Sequence, residues 1–233
     1  LRSGSGLLVG VSAGLQDPAL CEDILASGKA DLIMMARAWM ADPEYGRKLY
    51  EGRGEDITPC IRCNKCHAPT RGDAFRSFCT VNPTLGLGEK LSRMTEPVRR
   101  KKRVAVVGGG PGGMQAALSL AARGHSVVLY EKESELGGQM RHARYASFKW
   151  PLLAYCEHQI RQLEKAGVEI RTGVTADRAL LASGGYDEVV VAIGPEWVRP
   201  SIPGVERENV FLAMEAFTDA ALPAGSAAVI GGS

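Results

Sequence analysis

Short apolar runs alternate with amphipathic segments along the chain, and this pattern predicts the strands and helices of an α/β protein. Near the start, apolar runs at 7–12 (LLVGVS) and 30–36 (ADLIMMA) have the length of buried strands. Between them, an Asp-Pro pair at 17–18 predicts a helix start and Gly28 predicts its end. A second Asp-Pro pair at 42–43 predicts another helix. Two strands joined by a helix predict a parallel, right-handed unit.

A second set of elements follows a basic, polar stretch at 92–103, SRMTEPVRRKKR, which we interpret as a linker and domain boundary. The next run, VAVVGGGPGGMQAALSLAARGHSVVLYEK, predicts a strand, a glycine turn, a helix and a second strand. Further on, the pattern predicts an amphipathic helix over about residues 151–166 and a strand, DEVVVAIG, that ends at Gly194. The last residues, AAVIGGS, predict another strand that runs into glycines.

Composition and charge exclude several classes of protein. The 233 residues are 45% hydrophobic and 23% charged, as in a globular protein with a real core. A net charge of +2 gives no indication of nucleic acid or an anionic membrane as a partner. No apolar run approaches the roughly 20 residues of a membrane span, and no signal peptide is visible. We expect a cytoplasmic protein, and the missing initial Met and abrupt end lead us to expect a fragment.

A dense group of cysteines is the first candidate site. Cys60, Cys63 and Cys66 follow one another at three-residue steps, and twelve residues separate Cys66 from Cys79 in SFCTVNP. Three thiolates in one tight loop and a fourth from a more distant segment favour a 4Fe–4S cluster. Structural zinc, which more often uses two separated C-x2-C pairs, and free thiols are the alternatives.

Three further side chains lie outside this ligand set. Cys21 and Cys156 fall in helical patterns and are predicted to be buried apolar residues. His67 adjoins Cys66, where we expect either a surface histidine or a contact that tunes the cluster.

A glycine turn is the second candidate site. Gly108, Gly110 and Gly113 form G-x-G-x-x-G after a strand and before a helix, and the following strand leads into Glu131. Glycines let a pyrophosphate approach the backbone at a helix N-terminus, and an acidic side chain at the end of the second strand can accept from ribose hydroxyls. Because the carboxylate would repel a 2′-phosphate, the pattern favours FAD, NAD or ADP over NADP.

Features beyond the turn favour FAD. ELGGQM at 135–140 places paired glycines past the acidic strand, and Gly194 closes a strand that returns toward the ligand. The terminal VIGGS resembles the first half of a second glycine turn, which would bind NAD(P)H. The predicted FAD-binding residues are Gly108, Gly110, Pro111, Gly112, Gly113, Glu131, Lys132, Gly138, Gln139, Val174, Ala192 and Gly194.

The order of these motifs resembles the 2,4-dienoyl-CoA reductase and trimethylamine dehydrogenase family of old-yellow-enzyme-type flavoproteins. The motifs are C-x2-C-x2-C-x12-C-T-V-N-P, the basic linker, VAVVGGGPGGMQAA, YEKESELGGQM and VVVAIG. The resemblance implies five regions. They are the end of an FMN-binding (β/α)8 barrel (1–55), an iron–sulfur segment (56–91), a linker (92–102), a Rossmann-like FAD domain (103–223) and the start of an NAD(P) subdomain (224–233).

The resemblance also implies an FMN phosphate site at the ends of the first two strands. Arg37, in ARAWMADP, is the expected phosphate ligand, together with backbone amides of Ala13, Gly14 and Ala36. Many relatives have glycine at the positions of Ala13 and Ala36, so these two alanines leave less room for the phosphate.

The family implies an electron path from NAD(P)H to FAD, then singly through the cluster to FMN, which gives hydride to the β-carbon of an activated alkene, an enoate or enoyl-CoA. Catalytic residues are expected upstream of Leu1. One alternative is an amine dehydrogenase that holds ADP in place of FAD and runs electrons outward. The other is a nonenzymatic zinc-knuckle module that binds a nucleotide. The choice between NADH and NADPH, the substrate and the oligomeric state stay open.

Overall fold

The structure is a computed structural model that describes residues 6–67, 78–88, 90, 95–213, 215 and 225–231. The chain divides into two compact units, Leu1–Ile193 and Gly194–Ser233. Parts of the predicted iron–sulfur segment, linker and NAD(P) subdomain lie outside the described residues. The first unit contains all the helices and strands named below.

The described residues form an alternating series of strands and helices. The strands are β1 (Gly10–Ser12), β2 (Leu32–Met34), β3 (Arg103–Val107), β4 (Ser126–Tyr130), β5 (Glu169–Arg171) and β6 (Glu188–Val191). The α-helices are α1 (Pro18–Ala26), α2 (Arg37–Ala41), α3 (Tyr45–Tyr50), α4 (Pro111–Ala122), α5 (Trp150–Lys165) and α6 (Arg178–Ser183). Short 3₁₀ helices occupy Gly54–Asp56, Lys65–His67, Gly138–Tyr145 and Ser147–Lys149. None of the helices in these ranges has both the length and the apolar character that a bilayer crossing needs.

The N-terminal elements form the parallel unit that the sequence predicts. In the described part of the chain, β1 and β2 pair in parallel, with Val11 opposite Ile33. The carboxylate of Asp17 caps α1 by accepting from the Ala19 amide at 2.9 Å. Gly28 ends the helical turn with a φ of 67°, a left-handed conformation that glycine adopts without strain.

A second parallel sheet forms the centre of the C-terminal half of the first unit. Within the described residues its strand order is β5-β4-β3-β6, the arrangement of a Rossmann-like domain. Helices α4 and α5 pack on one face, where a fully buried core holds Met114, Leu129 and Leu163. The mixed α/β fold with parallel sheets is therefore confirmed, whereas the complete barrel stays a prediction.

Charged contacts join the residues before the cysteines to helix α5. Asp56 accepts from Gln162 Nε2 at 3.0 Å and from Lys165 Nζ at 2.5 Å. Nearby, the buried Asp42 carboxylate is bound by Lys48 Nζ at 2.6 Å and by the Thr58 amide at 2.8 Å. Asp42 is not the N-cap of α3, because this helix starts at Tyr45, a little later than the Asp-Pro pair predicts.

Two residues of the basic stretch contact the sheet domain: the Val98 amide donates to the Arg123 carbonyl at 3.1 Å, and Lys102 Nζ pairs with Glu188 at 2.6 Å. The interpretation of this stretch as a linker and domain boundary stays a prediction. The predicted strand in AAVIGGS is wrong for residues 227–231, which have no regular secondary structure. An apolar run becomes a strand only when a neighbour supplies ladder hydrogen bonds, and the described residues supply none there.

A buried histidine makes stability depend on pH. His158 is only 6% exposed, stacks on Tyr155, and its Nε2 lies 3.4 Å from the Thr58 hydroxyl. Burial lowers the pKa of His158 to about 4, with smaller contributions from Arg161 and Lys48. The unfolded chain, with a histidine pKa of about 6.5, therefore binds more protons than the folded chain between these values.

We expect the free energy of unfolding to fall as the pH decreases from 6.5 to 4, by up to roughly 3 kcal/mol from this group. Urea denaturation at several pH values in that window measures the slope. His158→Gln removes the titrating group, so its pH slope should be shallower. Equal slopes for the wild type and the variant would contradict this assignment.

Candidate cofactor-binding sites

The glycine turn between β3 and α4 depends on very close backbone contacts. A Cβ on Gly113 would lie 1.8 Å from the carbonyl oxygen of Gly108, and a Cβ on Gly108 would lie 2.3 Å from that of Ala192. Gly108 also has a φ of 109°, which favours glycine. Of the predicted glycines, Gly108 and Gly113 are therefore required by the turn itself.

The opposite side of the same turn is open. A Cβ on Gly112 would meet nothing within 4 Å, and the N-cap residue Gly110, being glycine, has no side chain to accept from the first turn of α4. Backbone amides at the start of this twelve-residue helix are thus available to an anion. Pro111 occupies the first helical position, where its missing N–H costs nothing.

Glu131 connects the glycine turn to the next strand. Glu131 as a residue is 7% exposed. Its carboxylate accepts from the backbone amides of Gly109 at 2.7 Å and Glu133 at 2.9 Å. A carboxylate has about four acceptor sites, so two contacts leave capacity for ribose hydroxyls. Besides its predicted role at the ribose, Glu131 therefore fixes the conformation of the glycine turn.

The paired glycines after β4 lie against the same turn. The Gly137 amide donates to the Gly109 carbonyl at 2.8 Å. A Cβ on Gly138 would lie 2.9 Å from the Cα of Gly110. The motif ELGGQM thus lies against the glycine turn.

The remaining predicted FAD residues have different surroundings. The Val174 amide donates to the Glu131 carbonyl at 2.9 Å, and the Ala192 amide donates to the Val107 carbonyl at 2.8 Å. Lys132 and Gln139 are exposed. Gly194 opens the second compact unit with a φ of 73°.

A pocket of about 320 Å³ lies at the carboxyl ends of β1 and β2, and we call it the strand-end pocket. Its lining includes all four residues expected at the FMN phosphate, namely Ala13, Gly14, Ala36 and Arg37. Ala13 has a φ of 84°, a left-handed conformation that costs an alanine about 1–2 kcal/mol. This conformation explains why glycine suits the position.

The strand-end pocket has a positive lining that sequence reasoning missed in part. Arg62 contributes to it from the cysteine segment, alongside Arg37, and His67 also lines the pocket. No carboxylate belongs to its lining in the described ranges. Two guanidinium groups without a competing acid favour an anionic ligand.

The four predicted cluster cysteines line one small neighbouring pocket, which we call the cysteine pocket. Two residues of its lining, Arg37 and Cys60, also line the strand-end pocket. Burial raises the pKa of the Cys79 thiol, and Cys60 and Cys63 are near enough to raise it further. The Cys63 sulfur lies 3.2 Å from the Thr80 hydroxyl.

Of the side-chain types His, Cys, Asp and Glu, only cysteines belong to the lining of the cysteine pocket in the described part of the chain. Over the residues described, no group of three or more His, Cys, Asp or Glu side chains could hold one ion. Zinc requires sulfurs at about 2.3 Å from one centre, whereas a cuboidal cluster spreads its ligands over several irons. Cys21 and Cys156 are buried apart from this pocket, as predicted.

Comparison with known proteins agrees with this arrangement. Residues 102–233 match the family model described as pyridine nucleotide-disulphide oxidoreductase. The chain is 43% identical to the NADH oxidase of Thermoanaerobacter brockii over 200 residues, 85% of this chain and 30% of that protein.

Two solved structures have a similar fold. A 2-naphthoyl-CoA reductase complex matches with a TM-score of 0.85 and 29% identity, over 92% of this chain and 32% of that one. Histamine dehydrogenase from Rhizobium sp. 4-9 matches with a TM-score of 0.75 and 28% identity, over 84% of this chain and 29% of that one. The chain therefore spans about a third of the length of these relatives.

The parallel sheet and its glycine turn define a dinucleotide-binding oxidoreductase domain. With the cysteine segment and the strand-end pocket, the chain belongs to the 2,4-dienoyl-CoA reductase and trimethylamine dehydrogenase family of flavin-dependent oxidoreductases.

The glycine turn gives a matched pair of substitutions. Gly113→Ala places a methyl group on the Gly108 carbonyl, and we expect a loss of stability of about 1–3 kcal/mol. Gly112→Ala meets open space in the same helical turn, so it should be neutral or stabilising by up to about 1 kcal/mol. Urea denaturation measures both. Equal stability of the two variants would contradict the close packing of the turn.

Proposed function

We propose that this chain is part of an NAD(P)H-dependent flavin and iron–sulfur oxidoreductase of the cytoplasm. It would carry electrons from NAD(P)H through FAD, a 4Fe–4S cluster and FMN to an activated C=C bond of an enoate or enoyl-CoA. The observation that carries the proposal is the shared wall of two sites: Cys60 and Arg37 line both the cysteine pocket and the strand-end pocket. A one-electron centre beside a site for an anionic flavin suits this chemistry.

The glycine turn supports FAD as the nucleotide of the Rossmann-like domain. The open side of Gly112 and the N-terminal amides of α4 would receive the pyrophosphate, while Glu131 would accept from the ribose. Gly138, packed on Gly110, would let the flavin portion pass close to the backbone. Lys132, Gln139, Val174, Ala192 and Gly194 complete the proposed set.

The cysteine pocket supports an iron–sulfur cluster bound by Cys60, Cys63, Cys66 and Cys79. Such a cluster supplies one-electron transfer, with a potential that depends on hydrogen bonds to its sulfurs and on exposure. Thr80, beside the Cys63 sulfur, is placed to supply one such hydrogen bond. Packing by Val81 and Tyr155 against Cys60 and Cys79 would limit the access of water.

The strand-end pocket supports FMN, with its phosphate bound by Arg37 and the loops of Ala13, Gly14 and Ala36. We further propose that residues 1–55 complete a (β/α)8 barrel with chain that lies upstream. The similarity to a 2-naphthoyl-CoA reductase favours an unsaturated thioester or acid as substrate. The groups that protonate the substrate are expected in the upstream part of the barrel.

An amine dehydrogenase with ADP in place of FAD is a second candidate, favoured by the similarity to histamine dehydrogenase. NADH distinguishes the two functions. Under anaerobic conditions, a reductase should lose its flavin absorbance when NADH is added, because NADH bound at the nicotinamide site reduces the flavin. A dedicated amine dehydrogenase should keep it and should lose it on addition of an amine instead.

The composition of the purified holoenzyme tests the cofactor assignment. We expect brown protein with about four irons per chain, and FAD and FMN released on denaturation. Cys79→Ala should lower the iron content severalfold, whereas Cys21→Ala, the matched loss of a buried thiol from α1, should leave it unchanged. Metal analysis measures both. Zinc without iron would support the nonenzymatic zinc-knuckle function, and iron retained by Cys79→Ala would exclude Cys79 as a ligand.

A further inference from the structure

The loop that carries the first three cysteines is joined to the strand-end pocket by three hydrogen bonds. The Cys60 amide donates to Gln16 Oε1 at 3.1 Å, and Arg62 Nη2 donates to the Gly14 carbonyl at 3.0 Å. Arg37 Nη1 donates to Asn64 Oδ1 at 2.6 Å. Each contact joins a residue at or beside a proposed cluster ligand to a residue of the pocket.

The backbone of this loop is shaped to present two of these side chains. Arg62 and Asn64 both have a φ of 56°, in the left-handed region. Asparagine tolerates this conformation, whereas for arginine it costs free energy. Strained residues persist where surrounding contacts hold them in place. Arg62 has two such contacts, the Gly14 carbonyl and the ring of Trp150, whose centroid lies 5.1 Å from its guanidinium carbon.

The contacts of Arg62 with Gly14 and of Asn64 with Arg37 involve the groups that would bind a phosphate. Gly14, with a φ of 67°, belongs to a loop that lines the pocket, and Arg62 holds that loop by the Gly14 carbonyl. Asn64 accepts from one nitrogen of the Arg37 fork. A fixed guanidinium loses less side-chain entropy when it binds a phosphate than a free one does.

We infer that Asn64 and Arg62 are positioning residues for the phosphate site of the strand-end pocket. Asn64 holds Arg37 in the orientation that binds the phosphate, and Arg62 holds the Gly14 loop. The phosphate group of FMN is the intended ligand, so this inference rests on the function proposed above. It extends the site to two side chains of the cysteine loop.

The test compares FMN with riboflavin, which lacks the phosphate. Both are titrated by fluorescence quenching into holoenzyme depleted of FMN, with the cluster intact and FAD saturating. Asn64→Gly keeps the left-handed backbone and removes the acceptor for Arg37. We expect its FMN Kd to rise about three- to tenfold, with the riboflavin Kd unchanged.

Two further variants separate positioning from loop shape. Asn64→Asp keeps the size and the backbone preference but offsets the charge of Arg37, so it should also weaken FMN and not riboflavin. Arg62→Gly removes the strain together with the contact to Gly14, and we expect the same selective loss. Lys65→Ala, which removes a positive charge from the same loop at a residue outside both pocket linings, is the matched control and should bind both flavins normally.

The outcomes distinguish this inference from the proposed function. If the wild-type protein binds FMN no better than riboflavin, that result would contradict the phosphate site itself and the proposed function with it. Wild-type preference for FMN that stays unchanged in the Asn64 and Arg62 variants would overturn the positioning role alone. An equal loss of both flavins, or a loss of iron without a change in the ratio of the two Kd values, would show that these residues support only the loop.

Discussion

The close approach of backbone at the start of α4 is the constraint on which the Rossmann-like domain depends. Gly113 lies so near the Gly108 carbonyl that a single methyl group has no place between them. This contact sets how the helix leaves β3, and the same turn receives the Glu131 carboxylate and the Gly137 amide. One local packing requirement therefore brings three segments of the chain to the edge of the sheet where a dinucleotide would bind.

The cysteine segment is held between this domain and the two-stranded unit by a mixture of charge and packing. An exposed ion pair contributes little, but the Asp42 carboxylate is buried and is satisfied by Lys48 and the Thr58 amide. Removal of one partner would leave a buried charge without compensation. Apolar contacts of Val81 and Tyr155 with Cys60 and Cys79 continue this interface around the cysteine pocket. The position of the thiols thus depends on both neighbouring elements.

Sequence patterns predicted the local elements and missed contacts between distant segments. The parallel unit with α1, the glycine turn and the burial of Cys21 and Cys156 all follow from spacing and composition. Gln16, Arg62 and Asn64 could not be found in that way, because their partners lie 44, 48 and 27 residues away. Ala13 and Arg37 were expected only through the family resemblance. The predicted terminal strand failed for a related reason, because strand formation depends on a neighbour that a local pattern does not contain.

Packing around Met140 joins the two halves of the proposed electron path. Met140 follows the paired glycines, and its side chain packs both on the core under the parallel sheet and on the group that contains Tyr155, Cys60 and Cys79. The loop beside the glycine turn and the lining of the cysteine pocket therefore share one side chain. Interiors this close-packed transmit displacements rather than absorb them. A flavin site and a thiol site connected in this way would keep a constant separation, which transfer of single electrons between fixed centres requires.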